Sequence, residues 1–141
     1  MDARDALARY LREILERVDG ITGVHPDQAD DVDDYLAPGG SFLLLYRDDT
    51  VVGCGAVRTL HPGTGELKRM WIRPDARGSG FGSLLLDALI ARSRALGHTT
   101  LVLDTNETLV EALALYAKHG FVAIERYNEN PDATHFLGRT L

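Results

Sequence analysis

Three observations predict an α/β (α+β) fold, a mixed sheet with helices packed on it. Apolar residues recur at helical spacing up to about residue 36, and the period then changes to that of strands. Beyond that point short apolar runs alternate with amphipathic helical segments. Gly- and Pro-containing breaks stand where one kind of segment gives way to the next. The element order reads α, α, β, β, β, α, β, α, β, β. With 141 residues and no repeat, low-complexity stretch or long linker, the chain is expected to form one domain over residues 1–141.

The first helix carries Leu7, Tyr10, Leu11, Ile14, Leu15 and Val18 at i, i+3, i+4, i+7 spacing, and Gly20 stops it. A second helix starts at Pro26, a residue suited to the first helical position, with Ala29, Val32, Tyr35 and Leu36 as its apolar stripe. Pro38-Gly39-Gly40 ends it. Residues 42–46 and 51–60 are apolar runs on either side of the turn Arg47-Asp48-Asp49-Thr50, and so form a hairpin. After the break at residues 61–65, residues 66–73 make a third strand.

The loop of residues 74–80 then feeds a helix whose apolar face is expected to be Phe81, Leu84, Leu85, Ala88 and Leu89, closed by Gly97. Residues 99–103 form a strand. Thr108 and Glu111 have the spacing of a capping box, opening a helix with Leu109, Ala112, Leu113 and Tyr116 on one face and Gly120 as its stop. Residues 121–126 and 134–141 complete the strands.

Composition narrows the function classes. The chain is 45% hydrophobic and 26% charged, which is ordinary for a globular domain. No apolar run approaches the ~20 residues of a membrane helix, and the start Met1-Asp2-Ala3-Arg4-Asp5 is too charged for a signal peptide. The single cysteine, Cys54, forms no intramolecular disulfide and gives no zinc pattern, so a cytoplasmic setting and no metal are expected. A net charge of −6 without a basic tract argues against nucleic acid as a partner.

Arg77-Gly78-Ser79-Gly80-Phe81-Gly82-Ser83 is the most informative stretch. It follows a strand and opens a helix. Its glycines let the backbone approach an anion, the helix start offers N–H groups, and Arg77 adds a fixed positive charge. A phosphate-bearing ligand suits it, although a purely structural turn is the alternative. No Lys completes a P-loop, and the third glycine of a dinucleotide fingerprint would fall at Ser83 or Leu85.

The surroundings decide between these readings. Arg77-x-x-Gly80-x-Gly82 resembles the acetyl-CoA pyrophosphate signature of the GNAT acetyltransferase superfamily. Residues 66–72 resemble the strand that precedes it there. Leu115-Tyr116-Ala117-Lys118-His119-Gly120-Phe121, about 40 residues further on, resembles the family's second signature. The resemblance covers residues 41–141 and implies a mostly antiparallel sheet of about six strands flanked by four helices. The family's opening strand is absent from this reading. Many relatives carry Asn seven residues before the motif tyrosine, where this chain has Leu109, and Asn106 is the candidate to replace that pantetheine contact.

The resemblance implies an N-acetyltransferase that moves acetyl from acetyl-CoA to a primary amine, on a small molecule or a peptide, by direct attack. Met70, Trp71 and Ile72 would hold the pantetheine, and an N–H among them would stabilise the thioester oxygen. Lys68 and Arg69, side by side, break the alternation as a β-bulge does, and the family has such a bulge here. Glu66 is the candidate general base through water and Tyr116 the candidate general acid. Cys54 is not required, and its apolar neighbours mark it as a core residue.

Asp27, Asp30, Asp31, Asp33 and Asp34 form a cluster that reads first as a solvated helix face and second as a lure for a cationic amine. Residues 127–136 read first as a turn, with Asn130 and His135 as secondary candidates for acceptor contact. His61 and His98 receive no role. Two other readings stay open: a non-catalytic acyl-CoA-binding module, and an interaction protein whose open sheet edge would pair with a partner chain or form a homodimer.

Overall fold

The computed structural model describes residues 40–47, 50–78 and 80–141. The two N-terminal helices and the aspartate cluster expected above lie outside the described residues, as does the stretch from which the family's opening strand was expected to be missing, and so do Asp48, Asp49 and Ser79. The described elements are β1 (Gly40–Arg47), β2 (Thr50–His61), β3 (Thr64–Ile72), a 3-10 turn (Pro74–Ala76), α1 (Phe81–Ala95), β4 (Thr100–Thr105), α2 (Val110–Lys118), β5 (Val122–Ala123) and β6 (His135–Thr140). They build a six-stranded mixed sheet of order β1-β2-β3-β4-β6-β5. Among the described strands only β3 and β4 run parallel, joined by a crossover through α1.

Two features of β3 shape everything near it. Cys54 lies opposite Trp71 and Ala56 opposite Lys68, so Gly55 alone on β2 faces Arg69 and Met70 on β3. This is the bulge that the Lys68-Arg69 pair predicts. Arg69 takes a φ of 58° to make it, a left-handed backbone that costs an L-residue about 1–2 kcal/mol, and the Cys54 thiol donates to its carbonyl at 3.4 Å. One inserted residue flips the alternation. Leu67 therefore packs in the core with the helices while Trp71 joins Val51 and Cys54 in a separate cluster. The second feature is the short parallel ladder. β3 pairs with β4 only at Thr64, Gly65 and Glu66, opposite Thr100, Leu101 and Val102. Beyond Glu66 the two strands part.

The main core lies between the sheet and the helices. Leu86, Leu89 and Leu101 are fully buried, with Val57, Leu103, Leu137 and Phe121 around them. Each such leucine contributes about 1.5–3 kcal/mol by leaving water.

Three local expectations are corrected. The buried face of α1 is Leu85, Leu86, Leu89, Ile90 and Ser93, whereas Leu84 is 57% exposed and Ala88 is exposed. The run Leu84-Leu85-Leu86 serves two helical registers, and only the one through Leu86 and Ile90 stays uncharged to the last turn, at Ser93. The expected capping box does not form: Leu109 is the N-cap of α2, without a side-chain cap. Asn106 instead makes a turn ahead of it, its Oδ1 accepting from the Thr108 N–H and its carbonyl from the Leu109 N–H. The strand expected at residues 121–126 shrinks to Val122–Ala123, because Arg126 donates to the carbonyls of Asn128, Asn130 and Ala133 and folds the following loop onto itself.

His98, to which sequence assigns nothing, is buried behind β3. Its ring nitrogens meet Ser93 Oγ at 2.7 Å and Thr59 Oγ1 at 2.9 Å. Gly65 is required beside it, since a Cβ there would stand 2.3 Å from His98 Nδ1. Burial pushes the imidazole below its ordinary range. Below about pH 6.5 the unfolded chain therefore binds a proton that the folded chain resists. His98 stabilises the fold above that pH, and the contribution is lost as pH falls through the folded value. The urea midpoint should drop between pH 7 and pH 5 in the wild type and drop less in His98→Gln. Parallel slopes would contradict this role.

Candidate active site

The parted strands open a cleft of about 250 Å³. Met70, Trp71 and Ile72 of β3 form one wall. Arg77, Gly78, Gly80, Gly82 and Ser83 form the floor, and Leu109, Glu111, Ala112, Leu115 and Tyr116 of α2 form the other wall. The edge of β3 toward β4 carries no ladder past Glu66, so its main chain faces the cleft as a strand edge does.

The glycine-rich floor is built by backbone conformation. Gly78 and Gly80 sit at φ of 80° and 83°, and a Cβ on either would touch nothing within 4 Å. Glycine is therefore needed here for its left-handed backbone, and the space above it stays open. Gly80 caps α1, and the Leu84 N–H is bonded to its carbonyl. The N–H groups of Phe81, Gly82 and Ser83 thus precede the first intrahelical bond, and no acidic residue occupies that first turn. Arg77 donates its Nε to the Ile72 carbonyl at 2.9 Å, which ties the floor to the end of β3. The result is a helix N-terminus of positive potential, a cation and a strand edge around one apolar-walled slot. A diphosphate on a long flexible arm fits those groups.

Tyr116 lines the cleft and is otherwise buried, its ring edge-on to Phe121 with centroids 5.8 Å apart. Glu66 is not in the cleft wall. It stands at the last paired position, where the strands separate, and alternation turns its side chain away from the core that holds Leu67. It is 1% exposed. Arg58 reaches its Oε1 through both Nε and Nη2 at 2.9 Å, Tyr127 donates to Oε2 at 2.8 Å, and Lys68 Nζ lies 3.5 Å from Oε2. Lys68 also approaches Asp104, which accepts from the Asn128 amide. Burial, then the Glu66 carboxylate, pushes the Tyr127 phenol far above its ordinary range, so it stays a donor.

Of the residues expected to meet a cofactor, Met70, Trp71, Ile72, Arg77, Gly78, Gly80, Gly82 and Ser83 come together in the cleft. Phe81 stands beside the floor with Arg47 over its ring. Asn106, the candidate for the pantetheine contact, stands ahead of α2 with its Oδ1 accepting from the Thr108 N–H and its Nδ2 donating to the Asp132 carbonyl. Leu109 itself lines the cleft. Sequence reasoning passed over the α2 wall of Glu111, Ala112 and Leu115, and also Arg58 and Tyr127 around Glu66. The α2 stripe hinted at the first group. Nothing local signals the second, which pairing across β2 and a distant loop assembles.

Residues 6–121 match the model of the acetyltransferase (GNAT) family. This chain belongs to the GNAT acetyltransferase family. An uncharacterized N-acetyltransferase from Schizosaccharomyces pombe is 41% identical to it over 110 residues, spanning 71% of this chain and 68% of that protein. Among solved structures, a GNAT-family acetyltransferase from Staphylococcus aureus superposes with a TM-score of 0.85 at 21% identity, over 97% of this chain and 92% of the other. A GNAT-family acetyltransferase from Elizabethkingia anophelis, solved with acetyl-CoA bound, superposes at 0.65 with 21% identity, over 79% and 82%. The α/β GNAT fold of this chain accords with both. No described helix of this GNAT chain is long and apolar enough to cross a membrane, and no metal-ligand cluster occurs among its described residues.

Removing one partner of a buried ion leaves the other poorly compensated. Arg58→Ala should cost this acetyltransferase about 2–3 kcal/mol of stability, read as a lower urea midpoint at unchanged m-value. An unchanged midpoint would mean that Lys68 and Tyr127 alone satisfy Glu66.

Proposed function

We propose that this GNAT protein transfers an acetyl group from acetyl-CoA to a primary amine by direct attack. The observation that carries the reading is the parting of β3 and β4 at Glu66 beside a glycine-floored helix N-terminus. A thioester arm and its diphosphate need those two features in one slot.

The N–H groups of residues 78–83 and the charge of Arg77 would hold the diphosphate. The free edge of β3 at residues 70–72 would bond the pantetheine arm as an added strand, and one of its N–H groups would face the thioester oxygen, where charge develops. Glu66, at the point of separation, would take the proton that a protonated alkylamine must lose near pH 7, through water. Tyr116, on the opposite wall, would return a proton to the departing sulfur. Bound in this slot, acetyl-CoA supplies an activated acyl group, so the chain needs no nucleophile of its own, and Cys54 is buried in the sheet.

Calorimetry with acetyl-CoA tests the floor. Gly80→Asp puts a carboxylate and an unfavourable φ where the anion is to sit, and it should weaken binding about tenfold or more. Unchanged affinity would remove the diphosphate from this loop. Thiol release over a panel of amino acids, polyamines and short peptides tests the chemistry. Tyr116→Phe and Glu66→Gln should each lower kcat by about 10²-fold while acetyl-CoA still binds. Binding without turnover of any amine by the wild type would instead mark a non-catalytic acyl-CoA module.

A further inference from the structure

We propose that Tyr127 is a positioning residue for acetyl transfer: its hydroxyl pins the free side of the Glu66 carboxylate and holds it toward the amine acceptor. The inference rests on Glu66 serving as the base. The geometry that motivates it is independent of the cleft.

Glu66 is gripped from two sides. The Arg58 fork takes Oε1, and the Tyr127 hydroxyl takes Oε2 from a loop 61 positions away in sequence. Lys68 Nζ stands 3.5 Å from Oε2 as an ion pair, and the Tyr127 hydroxyl, at 2.8 Å, is the closer partner of that oxygen. Around the carboxylate stand Arg58 from β2, Lys68 from β3, Asp104 from β4 by way of Lys68, and Tyr127 from the loop. Tyr127 is the neutral member of that set.

The loop that carries Tyr127 is built to hold it still. Arg126 lies over the Phe136 ring at 4.6 Å and bonds three loop carbonyls. Tyr127 meets the same ring edge-on at 5.4 Å. Asn128 and Asn130 each accept the N–H two residues on, and Asn106 fastens the far end through the Asp132 carbonyl. A carboxylate clamped on both oxygens cannot swing out of line, and general-base transfer depends on that alignment.

Tyr127→Phe removes the hydroxyl and keeps the ring on Phe136, so the fold should survive, as an unchanged far-UV spectrum and a cooperative melt would verify. Losing a donor to the charged form should move the acidic limb of the kcat/KM profile to higher pH and lower kcat about tenfold. The KM for acetyl-CoA should stay fixed. The profile is measured with whichever amine of the panel above releases thiol fastest. A second arm needs no acceptor. With ¹³Cζ-tyrosine, the Tyr127 resonance at neutral pH, which reports the hydrogen bond its hydroxyl donates, should move in Glu66→Gln. A Tyr127→Phe profile superimposed on the wild type, or a Tyr127 resonance indifferent to Glu66→Gln, overturns the proposal. If Glu66→Gln is slow while Tyr127→Phe matches the wild type, Glu66 remains the base and only the positioning role fails. If Glu66→Gln is as fast as the wild type, the base assignment fails and the positioning role with it.

Discussion

The end of pairing between β3 and β4 after Glu66 is the constraint from which the site follows. A strand that stayed in register along its whole length would bury its N–H and C=O groups in the sheet and leave no slot. The bulge opposite Gly55 reinforces the separation by turning the far half of β3. Trp71 goes to one face and Met70 and Ile72 pack toward the other, so the strand tip is anchored on both sides without help from β4. The left-handed backbone at Arg69 is the local cost, of order 1–2 kcal/mol, and the surrounding core is large enough to bear it.

The sheet also divides the chemistry. The glycine floor, α1 and α2 lie with the main core on one face, while Glu66, Arg58 and the loop bearing Tyr127 gather on the other. In the proposed reaction a donor and an acceptor would approach from opposite faces and meet at the gap between the strands, where both could be held together as direct attack requires.

Sequence made much of this legible where the signal is local. The hairpin, the Arg77–Ser83 turn, the two helices and the irregularity at Lys68-Arg69 all announce themselves through period, glycine placement or a pair of charges. The failures have physical causes. The face of α1 was ambiguous because three consecutive leucines satisfy two registers, and the distant sheet chooses between them. Thr108 and Glu111 have capping spacing, but Asn106 turns the chain first. The strand after Phe121 was read too long because an alternating run cannot reveal that Arg126 will capture the carbonyls downstream. Glu66 was picked out as a carboxylate at a strand start, yet its partners Arg58 and Tyr127 come from cross-strand register and a loop some sixty positions later. No window of sequence contains that arrangement.

All three groups that the Arg126 guanidinium grasps are peptide carbonyls, which every amino acid possesses. Those three contacts ask nothing of the side chains at their acceptors, whereas Asn128 and Asn130 add side-chain bonds to loop N–H groups that a substitution would remove. The path of the loop is thus fixed by backbone carbonyls and two asparagines together, and the remaining side chains decide only what it presents to solvent.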